Sequence, residues 1–145
     1  MKRVFCMVLI GAGLLARAEE GFATGSWFPV PTNGFSAAVW ARPDIRMWST
    51  REDQNLVMAG DGWFSGFALR LRGRPDGAAR AYCELVGAAK EKFSACAEGV
   101  PLAAGRCVHL ACTWDTVVLR LYVNGLLAVT VPADAETCAG GMVAA

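Results

Sequence analysis

The chain lacks the features that mark several functional classes. Its 145 residues include one histidine, and 14 Lys and Arg against 13 Asp and Glu give a formal net charge of +1. A nucleic-acid-binding domain carries an excess of basic residues on one face, so this balance argues against nucleic acid as a partner. No apolar run reaches the ~20 residues of a membrane-spanning helix. We therefore expect no membrane span.

Sequence patterns of hydrolytic catalysis are also missing. The chain has no G-x-S-x-G motif, which would support a Ser–His arrangement. It also has no E-x-D-x-x-E run, which would place two carboxylates on one face of a strand for glycoside hydrolysis. Glu52 and Asp53 are adjacent and would point to opposite faces, and Glu84 stands alone in its run. The chain is predicted not to be an enzyme, and its single histidine, His109, is expected to be a packed core residue.

The N-terminus has the pattern of a secretory signal peptide. Residues 1–3 give a positive start, Val4 to Leu15 is an apolar run, and Ala16-Arg17-Ala18 fits the small-x-small cleavage pattern. We predict that residues 1–18 are removed and that the protein is secreted, periplasmic or at the cell surface. The remaining chain would carry 11 basic and 13 acidic residues.

Cysteine is the next feature with consequences for an exported chain, where disulfides are permitted. Five cysteines follow residue 18, so at least one is free or pairs outside the chain: Cys83, Cys96, Cys107, Cys112 and Cys138. A hairpin centred between Ala89 and Lys90 would place Cys83 opposite Cys96, within reach of a disulfide. The alternative is two free buried thiols.

Short apolar runs alternate with turn signals roughly every 8–12 residues, which is typical of a β-sandwich or barrel. The predicted strands are Phe35–Ala41, Asn55–Ala59, Gly66–Leu71, Ala79–Val86, Lys92–Ala97, Cys107–Trp114, Val117–Val123 and Leu126–Val131.

Alternation within these runs predicts which side chains face the core. Phe67, Leu69 and Leu71 share one face of their strand, and the opposite face, with its arginines, is expected to be solvated. Trp40 and Trp114 lie within predicted strands and are expected in the core.

Asn124-Gly125 predicts a two-residue type I′ hairpin, because both residues accept positive φ. This turn would place Val123 opposite Leu126, Leu121 opposite Ala128 and Leu119 opposite Thr130.

Two segments resemble the signature of the laminin-G-like, concanavalin A-like jelly-roll domains. Gly105–Asp115 is similar to the family pattern W-x-H-V-A-x-T-Y-D, and Leu119–Gly125 is similar to L-R-L-Y-V-N-G. Phe35–Pro43 resembles an earlier strand of the form F-T-x-x-x-W-x-x-P. The residues that match the signature include His109, Thr113, Asp115, Tyr122, Asn124 and Gly125. The resemblance implies an all-β protein with an antiparallel β-sandwich of jelly-roll type.

The resemblance also implies a domain organisation. A partial jelly-roll domain would occupy residues 35–132, after a signal peptide at 1–18 and an irregular lead-in at 19–34, and before an unpatterned tail at 133–145. The family usually ends in further closing strands, so the remainder of its own domain is a candidate partner of this chain.

By resemblance, the expected function is recognition of a glycan or an extracellular protein without catalysis. The alternatives are a structural module or fragment of a larger exported protein, and a partial accessory domain of a glycoside hydrolase. Trp48 and the pair Trp63-Phe64, in apparent loops, could stack on sugars or simply cover the edge of the sandwich. No cofactor is expected, although calcium could bind through turn aspartates, whose alternative role is turn chemistry: Asp61, Asp76 and Asp115.

Overall fold

The computed structural model describes residues 6–10, 14–18, 34–43, 53–60, 66–74, 78–86 and 91–133. All ten elements in these ranges are strands: β1 Cys6–Ile10, β2 Leu14–Ala18, β3 Phe35–Ala41, β4 Asp53–Gly60, β5 Gly66–Gly73, β6 Ala79–Val86, β7 Lys92–Cys96, β8 Val108–Trp114, β9 Val118–Val123 and β10 Leu126–Pro132. The described residues contain no helix long and apolar enough to cross a membrane.

The strands form two antiparallel sheets. A six-stranded sheet has the order β10-β9-β8-β3-β1-β2, and a four-stranded sheet has the order β4-β5-β6-β7. The prediction of an all-β antiparallel sandwich is confirmed, and β3 and β6 have the predicted bounds. The chain changes sheet between β3 and β4 and again between β7 and β8, so both layers contribute to one core.

The core lies between the two sheets and follows the period of two along each strand. Alternate residues of β3, β8 and β9 are buried against alternate residues of β5, β6 and β7. Phe35 of one sheet stacks on Phe67 of the other, with ring centroids 4.2 Å apart. Trp114, predicted to be in the core, is 2% exposed, and its indole N–H donates to the Ala133 carbonyl at 2.7 Å. Each large apolar side chain buried in this way stabilises the fold by about 1.5–3 kcal/mol.

The chain enters β3 through a glycine that no other residue replaces easily. Gly34 has φ +97°, and a Cβ at this position would lie 2.6 Å from the Trp114 carbonyl oxygen. Both the backbone conformation and the close approach to β8 therefore require glycine.

The β9–β10 hairpin turns at Asn124-Gly125, where φ is 51° and 79°, as a type I′ turn requires. Val123 pairs with Leu126, as predicted. The predicted register beyond that pair is wrong, because a β-bulge between Leu127 and Val129 shifts β10 by one residue. Leu121 therefore lies opposite Val129 rather than Ala128, and Leu119 lies opposite Val131 rather than Thr130.

Strands β1 and β2 come from the residues that the sequence predicts to be a signal peptide. They pair with each other from Cys6 opposite Ala18 to Ile10 opposite Leu14. β1 also pairs with β3, through Leu9 opposite Ala38 and Ile10 opposite Ala37. Removal of residues 1–18 stays a prediction, and in this structure β1 and β2 are two of the six strands of the larger sheet.

Candidate functional site

The four-stranded sheet carries a group of charged side chains on the face turned away from the core. Leu69 and Leu71 of β5 face the core, so Arg70 and Arg72 project from the other face. The same alternation in β6 places Glu84 on that face, because Cys83 and Leu85 belong to the core.

Arg70 is the centre of this group, which we call the Arg70 cluster: Asp53, Arg70, Arg72, Glu84 and Lys92. Arg70 is 1% exposed and Glu84 is 5% exposed. The Arg70 Nη1 lies 3.4 Å from the Glu84 Oε2 and 3.8 Å from the Asp53 Oδ2. The Lys92 Nζ lies 3.2 Å from the other oxygen of Glu84. The prediction that the arginine face is solvated is therefore wrong for Arg70, which is buried against two carboxylates.

The carboxylates of this cluster are held by cations. Arg72 donates two hydrogen bonds to Asp53, at 2.6 and 2.7 Å. These bonds lower the pKa of Asp53, against the opposing effect of burial, and the positive charges of Arg72 and Arg70 lower it further. Asp53 in turn raises the pKa of Arg72. A glycosidase needs one carboxyl group that keeps its proton and acts as a general acid. The lowered pKa of Asp53 favours loss of its proton. The Glu84 carboxylate lies between the cationic groups of Arg70 and Lys92.

Two further polar side chains, Tyr82 and Ser94, border the Arg70 cluster. The guanidinium carbon of Arg72 lies 4.5 Å from the centroid of the Tyr82 ring, in cation–π contact. The Tyr82 hydroxyl is 2.9 Å from the Ser94 hydroxyl, with either as donor. These contacts tie β5, β6 and β7 together on the face away from the core.

On the six-stranded sheet, the face away from the core presents an exposed aromatic side chain near the end of β3. Trp40 is 51% exposed, and its ring centroid lies 5.1 Å from that of His109, at 50° between the ring planes. The prediction that Trp40 and His109 belong to the core is wrong. Val39 and Ala41 on either side of Trp40 face the core, and so do Val108 and Leu110 around His109, so both rings point the other way.

Tyr122 and Leu127 extend this face. We call the four residues together the Trp40 surface: Trp40, His109, Tyr122 and Leu127. Tyr122 is partly buried on the side of β9 opposite to the core, and it pairs with Leu127, which is 55% exposed. Asn124 fixes the hairpin against β8, because its Oδ1 accepts the His109 N–H at 3.0 Å and its N–H donates to the His109 carbonyl at 2.7 Å.

Asp115 closes the turn between β8 and β9. Its carboxylate accepts the N–H groups of Val117 at 3.1 Å and Val118 at 2.8 Å, and Arg120 at 2.5 Å. The Arg120 hydrogen bond, followed by the two backbone hydrogen bonds, lowers the pKa of Asp115 to about 2. These bonds are the turn chemistry that the sequence offers as the alternative role of Asp115. No three His, Cys, Asp or Glu side chains gather as a metal-binding group in the described ranges, and Asp61 and Asp76 lie outside those ranges.

The predicted Cys83–Cys96 disulfide is wrong in this structure. The β6–β7 register places Cys83 opposite Ala95 and Cys96 opposite Tyr82, one position away from the predicted pairing. A shift of one residue moves a side chain to the other face of the sheet, so Cys83 lies in the core and Cys96 lies outside it. Both are free thiols, Cys83 buried and Cys96 partly buried.

The aromatic residues that the sequence singles out as sugar-stacking candidates lie outside the described residues: Trp48, Trp63 and Phe64. The Trp40 surface and the Arg70 cluster were missed by reasoning from sequence. Arg70 and Glu84 could be recognised as facing the same side of their strands, but only the β5–β6 register shows that they are neighbours.

Among proteins of curated function, none matches the sequence significantly. Solved structures that are similar to this chain include the receptor-binding domain of the botulinum neurotoxin C/D mosaic serotype, with 12% identity and a TM-score of 0.46 over 88% of this chain and 34% of that chain. Another is the ligand-binding domain of botulinum neurotoxin serotype D in complex with N-acetylneuraminic acid, with 14% identity and a TM-score of 0.49 over 90% of this chain and 36% of that chain. This chain thus spans about a third of the length of these structures.

The family comparison covers most of the chain. A family model described as the concanavalin A-like lectin/glucanases superfamily matches residues 18–141. The match includes both sheets apart from β1 and nearly all of β2, and it agrees with the signature in β8 and β9 and with the antiparallel sandwich. The chain is a lectin-like domain and belongs to the concanavalin A-like lectin/glucanases superfamily.

Proposed function

We propose that this chain is an exported, non-catalytic recognition module that binds a glycan on the Trp40 surface. The observation that carries the proposal is the position of Trp40, an indole half exposed near the end of β3 and packed against His109. A large flat side chain that is already ordered can stack on a sugar ring with little further loss of conformational freedom.

The groups around Trp40 have the chemistry that a sugar requires. Tyr122 and His109 lie on the same face of the sheet and bring a hydroxyl and an imidazole, which can exchange hydrogen bonds with sugar hydroxyls. Leu127 adds exposed apolar area. An apolar platform bordered by a few polar groups is the usual composition of a small-ligand site.

The Arg70 cluster supports binding without catalysis. Its two carboxylates are paired with arginine or lysine, and the pKa of Asp53 is lowered rather than raised. The proposal therefore predicts no turnover of polysaccharides by the purified chain. Hydrolysis that is lost in Glu84→Gln would instead identify the chain as part of a glycoside hydrolase.

Export is supported by the N-terminal sequence pattern and by the family match, which begins at residue 18. The test is N-terminal sequencing of the protein recovered from the extracytoplasmic fraction. A first residue of Glu19 is expected, and a protein that retains Met1 and stays in the cell would contradict export.

The glycan proposal is tested by screening the full chain on a glycan array and measuring affinities of the positives by calorimetry. Trp40→Ala should weaken binding at least tenfold, which corresponds to the loss of about 1.4 kcal/mol. Met58→Ala is the matched control, because Met58 is also exposed, at 40%, but belongs to the four-stranded sheet. Addition of EDTA should leave binding unchanged, since the proposal includes no calcium.

Two results would contradict the proposed site or ligand. Wild-type affinity in Trp40→Ala together with loss of binding in Trp48→Ala or Trp63→Ala would place the site at those tryptophans instead. The absence of any glycan ligand in the screen would favour the alternative, in which the module recognises an extracellular protein.

A further inference from the structure

An arginine follows Trp40 on the same side of the six-stranded sheet. The alternation of exposed and buried residues in β3 continues past the end of the strand, so that Trp40 and Arg42 are exposed whereas Ala41 and Pro43 are buried. Residues two apart in an extended chain face the same side and lie roughly 7 Å apart. A sugar ring stacked on Trp40 would therefore have the Arg42 side chain at its edge.

The Arg42 guanidinium is held by a hydrogen bond from one of its three nitrogens. Its Nε donates to the Gly105 carbonyl at 2.7 Å, and the Gly105 N–H donates to the Pro43 carbonyl at 2.8 Å. These two bonds join the end of β3 to the turn before β8. Both Nη groups of Arg42 make no hydrogen bond to any residue that the structure describes. A guanidinium oriented in this way can bind a carboxylate or a sulfate through paired hydrogen bonds.

A second exposed arginine lies in the same turn. Arg106 directly follows Gly105, whose carbonyl accepts the Arg42 hydrogen bond. Neither Arg42 nor Arg106 forms an ion pair with a carboxylate of the described residues. The other arginines that we have placed in ion pairs each have a carboxylate partner: Arg70, Arg72, Arg74 and Arg120. The unpaired positive charge is therefore concentrated beside Trp40.

The acidic side chains of the described residues lie elsewhere in the fold. Asp53 and Glu84 belong to the four-stranded sheet, and Glu98, in the turn after β7, is bound by Arg74. Asp115 lies beyond the other end of β8, six positions or roughly 20 Å along the strand from His109. The excess of acidic residues in the chain after residue 18 thus does not describe the charge around Trp40, where the described ionic groups are two arginines.

We propose that the glycan bound on the Trp40 surface is anionic, and that Arg42, with Arg106 beside it, binds the carboxylate or sulfate of a sugar residue stacked on Trp40. This inference rests on the proposed function, because it takes the Trp40 surface as the glycan site. The indole supplies the contact with the ring, whereas the guanidinium selects for the charge. A neutral sugar would leave the Nη groups of Arg42 bonded to water.

The test measures affinities of the full chain by calorimetry for matched sets of oligosaccharides. Each set consists of β-linked glucose or galactose residues in three forms: neutral, with C6 oxidised to a carboxylate, and with a sulfate on O6. The members of a set have the same rings and linkages, so differences in affinity report the charge at C6. We expect an anionic member to bind at least about tenfold more tightly than its neutral counterpart, since hydrogen bonds to charged groups are the stronger ones. The carboxylate and sulfate forms show which anion the site takes.

Variants assign this preference to Arg42. In Arg42→Gln, the ratio of anionic to neutral affinity should fall close to one, and in Arg106→Gln it should fall by a smaller factor. Arg120→Gln is the matched control, because Arg120 is in the same sheet but is paired with Asp115, and it should keep the wild-type ratio. Thermal melting of each variant shows whether it is folded.

The salt dependence of the wild type tests the same inference without any variant. Raising the NaCl concentration from about 50 mM to about 500 mM should weaken binding of the anionic oligosaccharide several-fold, because salt screens exposed charges. Binding of the neutral counterpart should change much less.

Two outcomes would overturn the inference. One is equal or tighter binding of the neutral oligosaccharides; the other is a preference for anions that persists in Arg42→Gln. If Trp40→Ala nevertheless weakens binding of the neutral forms, the proposed function stands and only the choice of an anionic ligand fails. If no oligosaccharide of either charge binds, in these sets or on the array, both proposals fail together.

Discussion

Arg70 offers the sharpest test of how the four-stranded sheet is held together. It is 1% exposed, and its Nη1 lies 3.4 Å from Glu84, which is itself 5% exposed. Removal of one partner of a buried ion pair typically costs 3–5 kcal/mol, because the other charge stays buried without compensation. In Arg70→Met, Glu84 keeps Lys92 and Asp53 keeps Arg72. We therefore expect a loss near the lower limit, about 3 kcal/mol of the free energy of unfolding.

The assay is urea unfolding of a double-mutant cycle made of Arg70→Met, Glu84→Met and the double variant. Both single variants should be strongly destabilised, and the double variant should be much less destabilised than the sum, with a coupling energy of about 1.5–3 kcal/mol. Arg120→Met is the control, since the Arg120–Asp115 pair is exposed and its loss should leave the unfolding midpoint nearly unchanged. Additive single losses would refute the assignment of a coupled pair, and a stable Arg70→Met would refute its burial.

The other predictions concern a turn, a strand entry and a carboxylate. Gly125→Val should cost about 1 kcal/mol or more, because Gly125 has φ +79°; Gly99→Val, with open space around it and no positive φ, is the control for thermal melting. Gly34→Ala should cost about 2 kcal/mol or more in the same assay, since it combines φ +97° with a 2.6 Å approach to Trp114; a smaller loss would mean that β3 enters differently. For Asp53, the lowered pKa of the folded state means that its ion pair stabilises the protein above the unfolded pKa of about 4 and that this stability is lost as the pH falls through the folded value. The difference in free energy of unfolding between wild type and Asp53→Asn should thus be largest at neutral pH and should shrink below about pH 4; a constant difference would contradict the pairing.

Strand positions were predictable from sequence where apolar and polar residues alternate. In Gly66–Leu71, Arg70 marks the face opposite Leu69 and Leu71, and in the structure both leucines belong to the core whereas Arg70 contacts Glu84 on the other face. In the run Phe35–Ala41, Ser36 is the one polar residue on the face of Trp40, and a single serine is a weak sign that this face is exposed. The structure shows that Phe35, Ala37 and Val39 are buried. Because side chains alternate along a strand, Trp40 lies on the face away from the core.

Features that depend on register could not be predicted from a single strand. Arg70 and Glu84 lie 14 positions apart in sequence and meet because β5 pairs with β6 from Gly66 opposite Val86 onward. Cys83 missed its predicted partner because the β6–β7 register differs by one residue from the symmetrical turn. No residue type in the sequence indicates the bulge in β10, because Ala128 lies in an unbroken apolar run.

The pairing of β1 with β3 has a consequence for the order of events in the cell. Leu9 and Ile10 occupy backbone positions beside Ala38 and Ala37, so the N-terminal segment is held by the folded sheet. Under the proposed export, a leader held in this way is hidden from the machinery that must recognise it. Folding and translocation therefore compete for the same residues, and the competition favours export only while β3 has not yet formed. If residues 1–18 are removed as proposed, β3 becomes the outermost of the described strands of its sheet, and the backbone edge that β1 covers in the precursor is left open to another strand.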